Sequence, residues 1–349
     1  MLQEIHEQPR AIEETLSKEK KKIREVAEII YDKKYEMVYI TGSGTSYHAG
    51  LVGQYTFSAL TKMINSLLPA SEFGTWFSPL KPKKTLVIAI SQSGESSDII
   101  EAAKTALQKN IALVALTNTP GSSLAKMADY TLVTHAGEEH AVTATKSYAS
   151  QLTVLFMLVL EIAELQGQQP NQIKNLRETL AITPRFVSET ISISEEEAQK
   201  TAHKFKNSKS FFLLGSGPNY ATALEGALKL KEACKAFAEG FATREFLHGP
   251  IQLIDGRTPI LFILTKDEIA NFTSLIHIIR NFEAPLILIS EKTSILSDIS
   301  ACGMHIPEGF PKVFSPILYV VPLQLFTYYS SIVRNLNPDK PEKLKKVVK

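Results

Sequence analysis

Cysteine is scarce in this sequence. Only Cys234 and Cys302 occur among 349 residues; they cannot form a disulfide framework, and they have no C-x-x-C spacing. A reducing compartment is therefore expected. Excess charge of either sign is missing too. Lys and Arg number 38 against 36 Asp and Glu, a net +2, so nothing in the bulk charge draws the chain to nucleic acid or membrane lipid. Long apolar runs are also absent. Leu152–Leu160 is about half of the ~20 residues that a bilayer helix needs, and Pro322 and Gln324 interrupt Pro316–Thr327. Both are expected as buried helices. The opening Met1-Leu2-Gln3-Glu4-Ile5-His6 has no apolar secretory core, which places the expected location in the cytoplasm.

What is present is ordinary for a folded chain: 44% hydrophobic and 21% charged residues. The length suggests about two domains at roughly 150 residues each. Short β-branched blocks at Met37–Thr41, Leu86–Ile90, Ala112–Thr117 and Tyr130–Val133 show little alternation. Such blocks suit parallel strands covered on both faces. Helix-length segments at Thr45–Leu60, Glu95–Gln108 and Gly121–Met127 separate them, which is the pattern of a doubly wound α/β sheet.

The second half repeats the first 173 residues on. Gly42-Ser43-Gly44 returns as Gly215-Ser216-Gly217, and Val87-Ile88-Ala89-Ile90 as Ile260-Leu261-Phe262-Ile263. Leu113-Val114-Ala115-Leu116 returns as Leu286-Ile287-Leu288-Ile289, and Leu132-Val133 as His305-Ile306. A constant offset across four blocks implies a duplicated domain, joined through a helical, polar stretch around Gly167–Glu196. The expected organisation is a helical segment at 1–30, α/β domains at 31–170 and 171–334, and a tail at 335–349.

The two copies differ in their loops. After its strand the first has Ser91-Gln92-Ser93-Gly94-Glu95-Ser96, where the second has Leu264-Thr265-Lys266-Asp267-Glu268. Ligands of such sheets sit beyond the carboxyl ends of the strands, so the first copy looks like the anion binder. Its loops Gly42-Ser43-Gly44-Thr45-Ser46 and Ser91–Ser96 combine glycine, for close backbone approach, with hydroxyl donors at helix N-termini. That suits a phosphate monoester on a small sugar. Small hydroxylated residues are also common helix caps, so structural turns are the competing reading. A dinucleotide fingerprint is excluded by the missing third glycine and acidic partner, and no Walker lysine follows.

Further on, Glu225, Lys229 and Glu232 stand at i, i+4 and i+7 and share one helix face. Leu224, Leu228 and Lys231 fall on another face, with the two leucines expected in the core. Surface salt bridges would explain the charged face equally well. His248-Gly249-Pro250 marks a turn sixteen residues beyond Glu232, and its histidine is structural or catalytic. Carboxylate, lysine and histidine are the groups that sugar isomerisation needs. No His, Asp or Cys cluster has metal-ligand spacing, and no metal or organic cofactor is expected.

Taken in order, these blocks resemble the SIS (sugar isomerase) superfamily, with flavodoxin-like α/β domains. Within it they are most similar to the isomerase half of the glucosamine-6-phosphate synthases. The resemblance runs from Glu4-Ile5-His6-Glu7-Gln8-Pro9 through Gly44-Thr45-Ser46-Tyr47, Ser91-Gln92-Ser93-Gly94-Glu95, Val142-Thr143-Ala144-Thr145-Lys146, Leu224–Glu232 and His248-Gly249-Pro250. It ends at Pro341 and Leu344-Lys345-Lys346. It implies that Thr45, Ser46, Ser91, Gln92, Ser93 and Ser96 hold a sugar phosphate and that Val142 lines the sugar site. Ser96 replaces the family's usual threonine and keeps the hydroxyl. Glu232 corresponds to the general base, Lys229 to its neighbouring lysine, and His248 to a ring-opening histidine supplied by the partner subunit of a homodimer. Lys346 corresponds to the lysine that forms an imine with the open-chain keto sugar, although Lys345 departs from the family's small residue.

One further departure shapes the expected chemistry. The synthases carry an N-terminal glutaminase domain with a cysteine after Met1, whereas position 2 here is Leu2. The expectation is therefore an enzyme interconverting glucosamine 6-phosphate and fructose 6-phosphate with free ammonia, running toward deamination. The alternatives are ammonia-dependent synthesis, synthesis fed by a separate glutaminase chain, a fructosamine-phosphate deglycase, and a non-enzymatic sugar-phosphate sensor. A sensor would need the phosphate loops without Glu232, His248 and Lys346 together.

Overall fold

The computed structural model describes residues 1–291 and 302–348. The chain forms two compact units. One comprises Glu7–Glu139, Ala144–Pro184 and the tail from Lys345. The other comprises Met1–His6, His140–Thr143 and Arg185–Leu344. Helix α1 (Leu2–His6) belongs to the second of these.

The first unit opens with α2 (Gln8–Lys18) and α3 (Lys20–Asp32). Helix α3 buries Ile23, Val26, Ala27 and Ile30, the i, i+3, i+4, i+7 stripe of an amphipathic helix. Strand and helix then alternate as β1 (Met37–Gly42), α4 (Thr45–Leu60), β2 (Ile64–Pro69), α5 (Ala70–Trp76), β3 (Thr85–Ile90) and α6 (Ser97–Gln108). The series closes with β4 (Ala112–Thr117), α7 (Ser123–Met127), β5 (Tyr130–Val133), α8 (Lys146–Leu165) and α9 (Pro170–Ala181). The five strands pair in parallel in the order β2-β1-β3-β4-β5. Every residue of β3 is buried, the mark of a central strand covered on both faces. Helix α8 is long and apolar enough to cross a membrane by length and composition, yet 89% of its apolar window is buried inside the fold. It is the core helix against which α2, α3 and α4 pack.

The second unit takes up α10 (Thr183–Lys204) from Arg185 onward. It continues with β6 (Ser210–Gly215), α11 (Asn219–Cys234), β7 (Phe237–Ala242), β8 (Ile260–Leu264) and α12 (Ile269–Asn281). The last described elements are β9 (Leu286–Ser290), β10 (Cys302–His305) and α13 (Pro316–Ile332). Its sheet is parallel in the order β10-β9-β8-β6-β7. This is the first sheet again, down to register: the 173-residue shift carries the pairing Met37↔Ile64 to Ser210↔Phe237, and Tyr39↔Val87 to Phe212↔Ile260. The last strand slips by one residue. Val114 pairs with Tyr130, but Ile287 pairs with Cys302, so the β9–β10 connection is one residue shorter than its counterpart.

Two strands were invisible in the hydrophobic pattern. Strands β2 (INSLLP) and β7 (FAEGFA) lie on matching sheet edges and carry Asn65, Ser66, Glu239 and Gly240. An edge strand needs little apolar surface, and its polar residues face solvent. Gly240 is small because the backbone of α11 passes there: a Cβ would stand 2.7 Å from the Ala223 carbonyl carbon.

Candidate functional site

In both sheets the chain reverses its direction of travel between the first and third strands, and the crevice at such a switch point opens beyond their carboxyl ends. Strands β1 and β3 are adjacent, with Gly42 opposite Ile90. The loops leaving them therefore emerge side by side. One passes Ser43 and Gly44 and delivers Thr45 and Ser46 to the N-terminus of α4; the other delivers Ser91 through Ser96 to the N-terminus of α6. Gly44 adopts a φ of +54°, which glycine tolerates without strain.

The hydroxyls of these loops are oriented by the protein. Ser91 Oγ accepts the Gly94 N–H at 3.1 Å, and Ser93 Oγ accepts the Glu95 N–H at 3.2 Å. Ser46 Oγ accepts from Gln151 Nε2 of α8 at 3.0 Å. A hydroxyl has one proton and two lone pairs. With a lone pair engaged in this way, each serine keeps its proton to donate outward. Gly94, at φ +66°, packs on the α7 cap: a Cβ there would stand 2.6 Å from Ser122 Cβ. The Glu95 carboxylate accepts from both the backbone N–H and the hydroxyl of Ser123 at 2.8 Å, so it pins the far side of the loop.

The tail reaches the same edge of the first unit. Val348 offers its carbonyl to the Ser97 N–H at 3.2 Å, at the first turn of α6. Lys346 Nζ donates to Glu139 Oε2 at 2.7 Å. Glu139 is a residue that the sequence reading missed, and nothing local in the sequence marks it. Its Oε1 accepts the backbone N–H groups of Thr145 and Ser147 at 2.9 and 3.1 Å, and its Oε2 accepts the Ser147 hydroxyl at 2.8 Å. The carboxylate thus sits at the positive N-terminus of α8. Burial pulls its pKa up, but the Lys346 charge and these donors outweigh burial and hold it below the ordinary carboxylate range.

In the second unit the corresponding loop is closed on itself. Where β3 is followed by Ser91, β8 ends in Leu264. The next residue, Thr265, donates its N–H and hydroxyl to Glu268 Oε2 at 3.1 and 2.9 Å. Lys312 Nζ stands 2.8 Å from the other oxygen of Glu268. This loop end is thus occupied by its own carboxylate, paired in turn with Lys312.

Helix α11 carries the charged triad of the second unit. Lys229 Nζ lies 3.3 Å from Glu225 Oε1 and 2.6 Å from Glu232 Oε2. The side chains of Glu225 and Lys229 are fully buried, whereas that of Glu232 is 19% exposed. This corrects the assignment of faces made from the sequence. Leu224 and Leu228 are only half-buried, and the charged side is the inner one. Small residues make this possible. A Cβ on Gly226 would meet Leu213 of β6 at 2.7 Å and Leu323 of α13 at 2.8 Å, so the helix lies close against both neighbours at that position. Desolvation disfavours the Lys229 ammonium, but the two carboxylates more than reverse this and hold its pKa above the usual lysine value. The arrangement presents one reachable carboxylate, Glu232, backed by a buried cation.

His248 ends a short turn, Glu245–His248, beyond β7, and its ring is exposed. Among the described residues no hydrogen bond joins it to Glu232. Val142 is half-buried in the second unit, where its N–H donates to the Asp339 carbonyl at 3.0 Å. The structure therefore gathers Thr45, Ser46, Ser91, Gln92, Ser93, Ser96 and Lys346 in one unit, and Lys229 and Glu232 on one helix of the other.

The SIS domain profile matches residues 29–161 and 204–334. The glutamine–fructose-6-phosphate aminotransferase (isomerizing) of Thermococcus kodakarensis is 40% identical over 351 residues, which take in 100% of this chain and 57% of that protein. The chain thus spans little more than half the length of the curated relatives it matches. Among solved structures, the C-terminal domain of glucosamine-fructose-6-phosphate aminotransferase from Francisella tularensis gives a TM-score of 0.90 at 29% identity, covering 98% of this chain and 97% of that one. The glucosamine-6-phosphate deaminase of Thermotoga maritima, at 24% identity and a TM-score of 0.74 over 97% of this chain and 99% of that one, shares the fold.

Proposed function

Because the chain belongs to the SIS domain family, we propose that it is a sugar-phosphate enzyme of the isomerase type, interconverting fructose 6-phosphate and glucosamine 6-phosphate with ammonia. The observation that carries this reading is the α11 triad, in which a partly exposed Glu232 lies 2.6 Å from the buried Lys229 ammonium. A carboxylate fixed on a rigid helix beside a buried cation is suited to moving a proton between neighbouring carbons.

In this reading the hydroxyls and N–H groups of Thr45, Ser46, Ser91, Gln92, Ser93 and Ser96 bind the 6-phosphate. Val142 lines the sugar site. His248 transfers the proton that opens the ring. Lys346 condenses with the C2 carbonyl, releasing water and giving an imine, which ammonia then exchanges. Glu232 removes a proton from C1 and returns it to C2. Lys229 holds Glu232 in place. The reverse sequence releases ammonia from glucosamine 6-phosphate. The exposed ring of His248, with no hydrogen bond to Glu232 in its own chain, fits a histidine that serves the site of a partner subunit in a homodimer. A phosphorylated substrate fits a cytoplasmic location.

The test is to incubate the protein with glucosamine 6-phosphate and follow ammonia and fructose 6-phosphate together. Glu232→Gln should lower kcat by about 10²–10⁴ while leaving sugar-phosphate affinity nearly unchanged. Absence of turnover in a sample that binds the sugar phosphate would overturn the reading. The synthetic direction, with ammonia free or supplied by a separate glutaminase, is favoured by the 40% identity to an aminotransferase. It is read by glucosamine 6-phosphate formation from fructose 6-phosphate and ammonium.

A further inference from the structure

The sequence assigns no role to Glu139, yet the structure surrounds its carboxylate with hydrogen-bond donors. Its side chain is completely buried, its two oxygens accept four hydrogen bonds, and one of the donors is Lys346 of the tail. Three of the four come from Thr145 and Ser147 at the N-terminus of α8 and do not involve the tail. Lys346, 26% exposed, is the variable partner. The second tether of the tail, the Val348 carbonyl on the Ser97 N–H, lies one residue past the phosphate loop. The tail is thus held at two points, each at a helix N-terminus.

We propose that Glu139 is the positioning residue for Lys346, anchoring the tail on the first unit and accepting the proton that Lys346 must lose before it can attack a carbonyl. This rests on the imine role given to Lys346 under the proposed function. As found, the lysine is an ammonium against a carboxylate, and an ammonium has no lone pair. One proton passes to Glu139 Oε2, and the freed Nζ pair forms the C–N bond at C2 while the carbonyl π pair moves onto oxygen. Glu139 returns that proton to the oxygen. A second Nζ proton follows by the same route, water leaves, and the nitrogen pair closes the protonated imine. The three protons of the ammonium end as one on nitrogen and two in water, and Glu139 finishes as it began. A buried carboxylate suits this traffic, because bulk water does not compete for the proton.

Glu139→Gln keeps the shape and removes the charge. Two readouts separate the proposal from a structural role. Amide hydrogen exchange of residues 344–348, followed on the whole protein, should speed up by at least about tenfold in the variant, since the tail loses a charge-assisted anchor. In the pH profile of kcat/KM, the acidic limb should move, because the group that takes the proton from Lys346 is gone. Glucitol 6-phosphate, which has no carbonyl, should bind wild type and variant within about threefold, because the phosphate loops are untouched. Unchanged tail exchange overturns the proposal, and so does an unmoved acidic limb in an active enzyme. If wild type itself shows no turnover, the proposed function falls, and the exchange measurement still decides whether Glu139 anchors the tail. If Glu139→Gln does not fold, Lys346→Met opens the same pair from the other side, and unchanged tail exchange in that variant overturns the proposal equally.

Discussion

Replacing Lys229 by methionine keeps most of the apolar stem and removes the ammonium from between Glu225 and Glu232. In the native protein the raised Lys229 pKa means that the pair stabilises the fold fully below the lysine's unfolded value. That contribution is lost only as pH rises through the still higher folded value, so it operates across the neutral range. Taking one partner from a buried ion pair costs ~3–5 kcal/mol, since the remaining charge is left desolvated. For a unit of this size each kcal/mol corresponds to ~2–4 °C, so Tm should fall by roughly 10 °C. The sign of the pH dependence is the sharper test. Without the cation, the fully buried carboxylate of Glu225 loses a neighbouring positive charge and keeps its desolvation cost, which applies only while it is ionised. The deficit therefore grows as pH rises and the carboxyl ionises. Denaturant unfolding of wild type and variant at pH 5 and pH 8 should show the larger deficit at pH 8. A deficit under ~1 kcal/mol, as for an exposed pair, or one that does not change with pH, would refute the reasoning.

Two further outcomes are expected. If His248 serves a partner's site, mixing inactive Glu232→Gln with inactive His248→Asn protein and allowing subunits to exchange should restore about a quarter of wild-type activity, as half the dimers would carry one intact site. No recovery in an exchanged mixture would place the histidine in its own chain's site. Gly94→Ala should cost roughly 2–3 kcal/mol in a melting experiment, because alanine resists a positive φ, and the added methyl would collide with Ser122. It should also weaken sugar-phosphate binding, since Gly94 supplies the N–H that orients Ser91.

Much of the fold could be read directly because its strands are buried on both faces. Strands β1, β3 and β4, and their counterparts β6, β8 and β9, are near-continuous apolar blocks, and the 173-residue repeat marked the second set as a copy of the first. The edge strands β2 and β7 escaped notice because one flank of each is open to water, so nothing forces their residues to be apolar. Helix α11 misled for the opposite reason. A Glu–Lys–Glu pattern is what an exposed helix displays, and only neighbours that approach as closely as Leu213 and Leu323 turn that face inward. Hydroxyl-rich loops at strand ends were legible because glycine and serine at a strand-to-helix junction have local causes.

The sequence by itself determined the parallel α/β architecture, its duplication, and the residue types available at each loop. Those follow from short-range rules: the period of burial, the conformations open to glycine, and the spacing of side chains along a helix. The tertiary structure alone decided which charges are buried and which groups meet. Glu139 and Lys346 are 207 residues apart in the chain, and no local pattern in either segment marks the other as its partner. Their meeting depends on where the end of the chain docks. The burial of Glu225 and Lys229 depends likewise on how closely one helix lies against its sheet and its neighbouring helix, because desolvation is a property of the surroundings rather than of the residue.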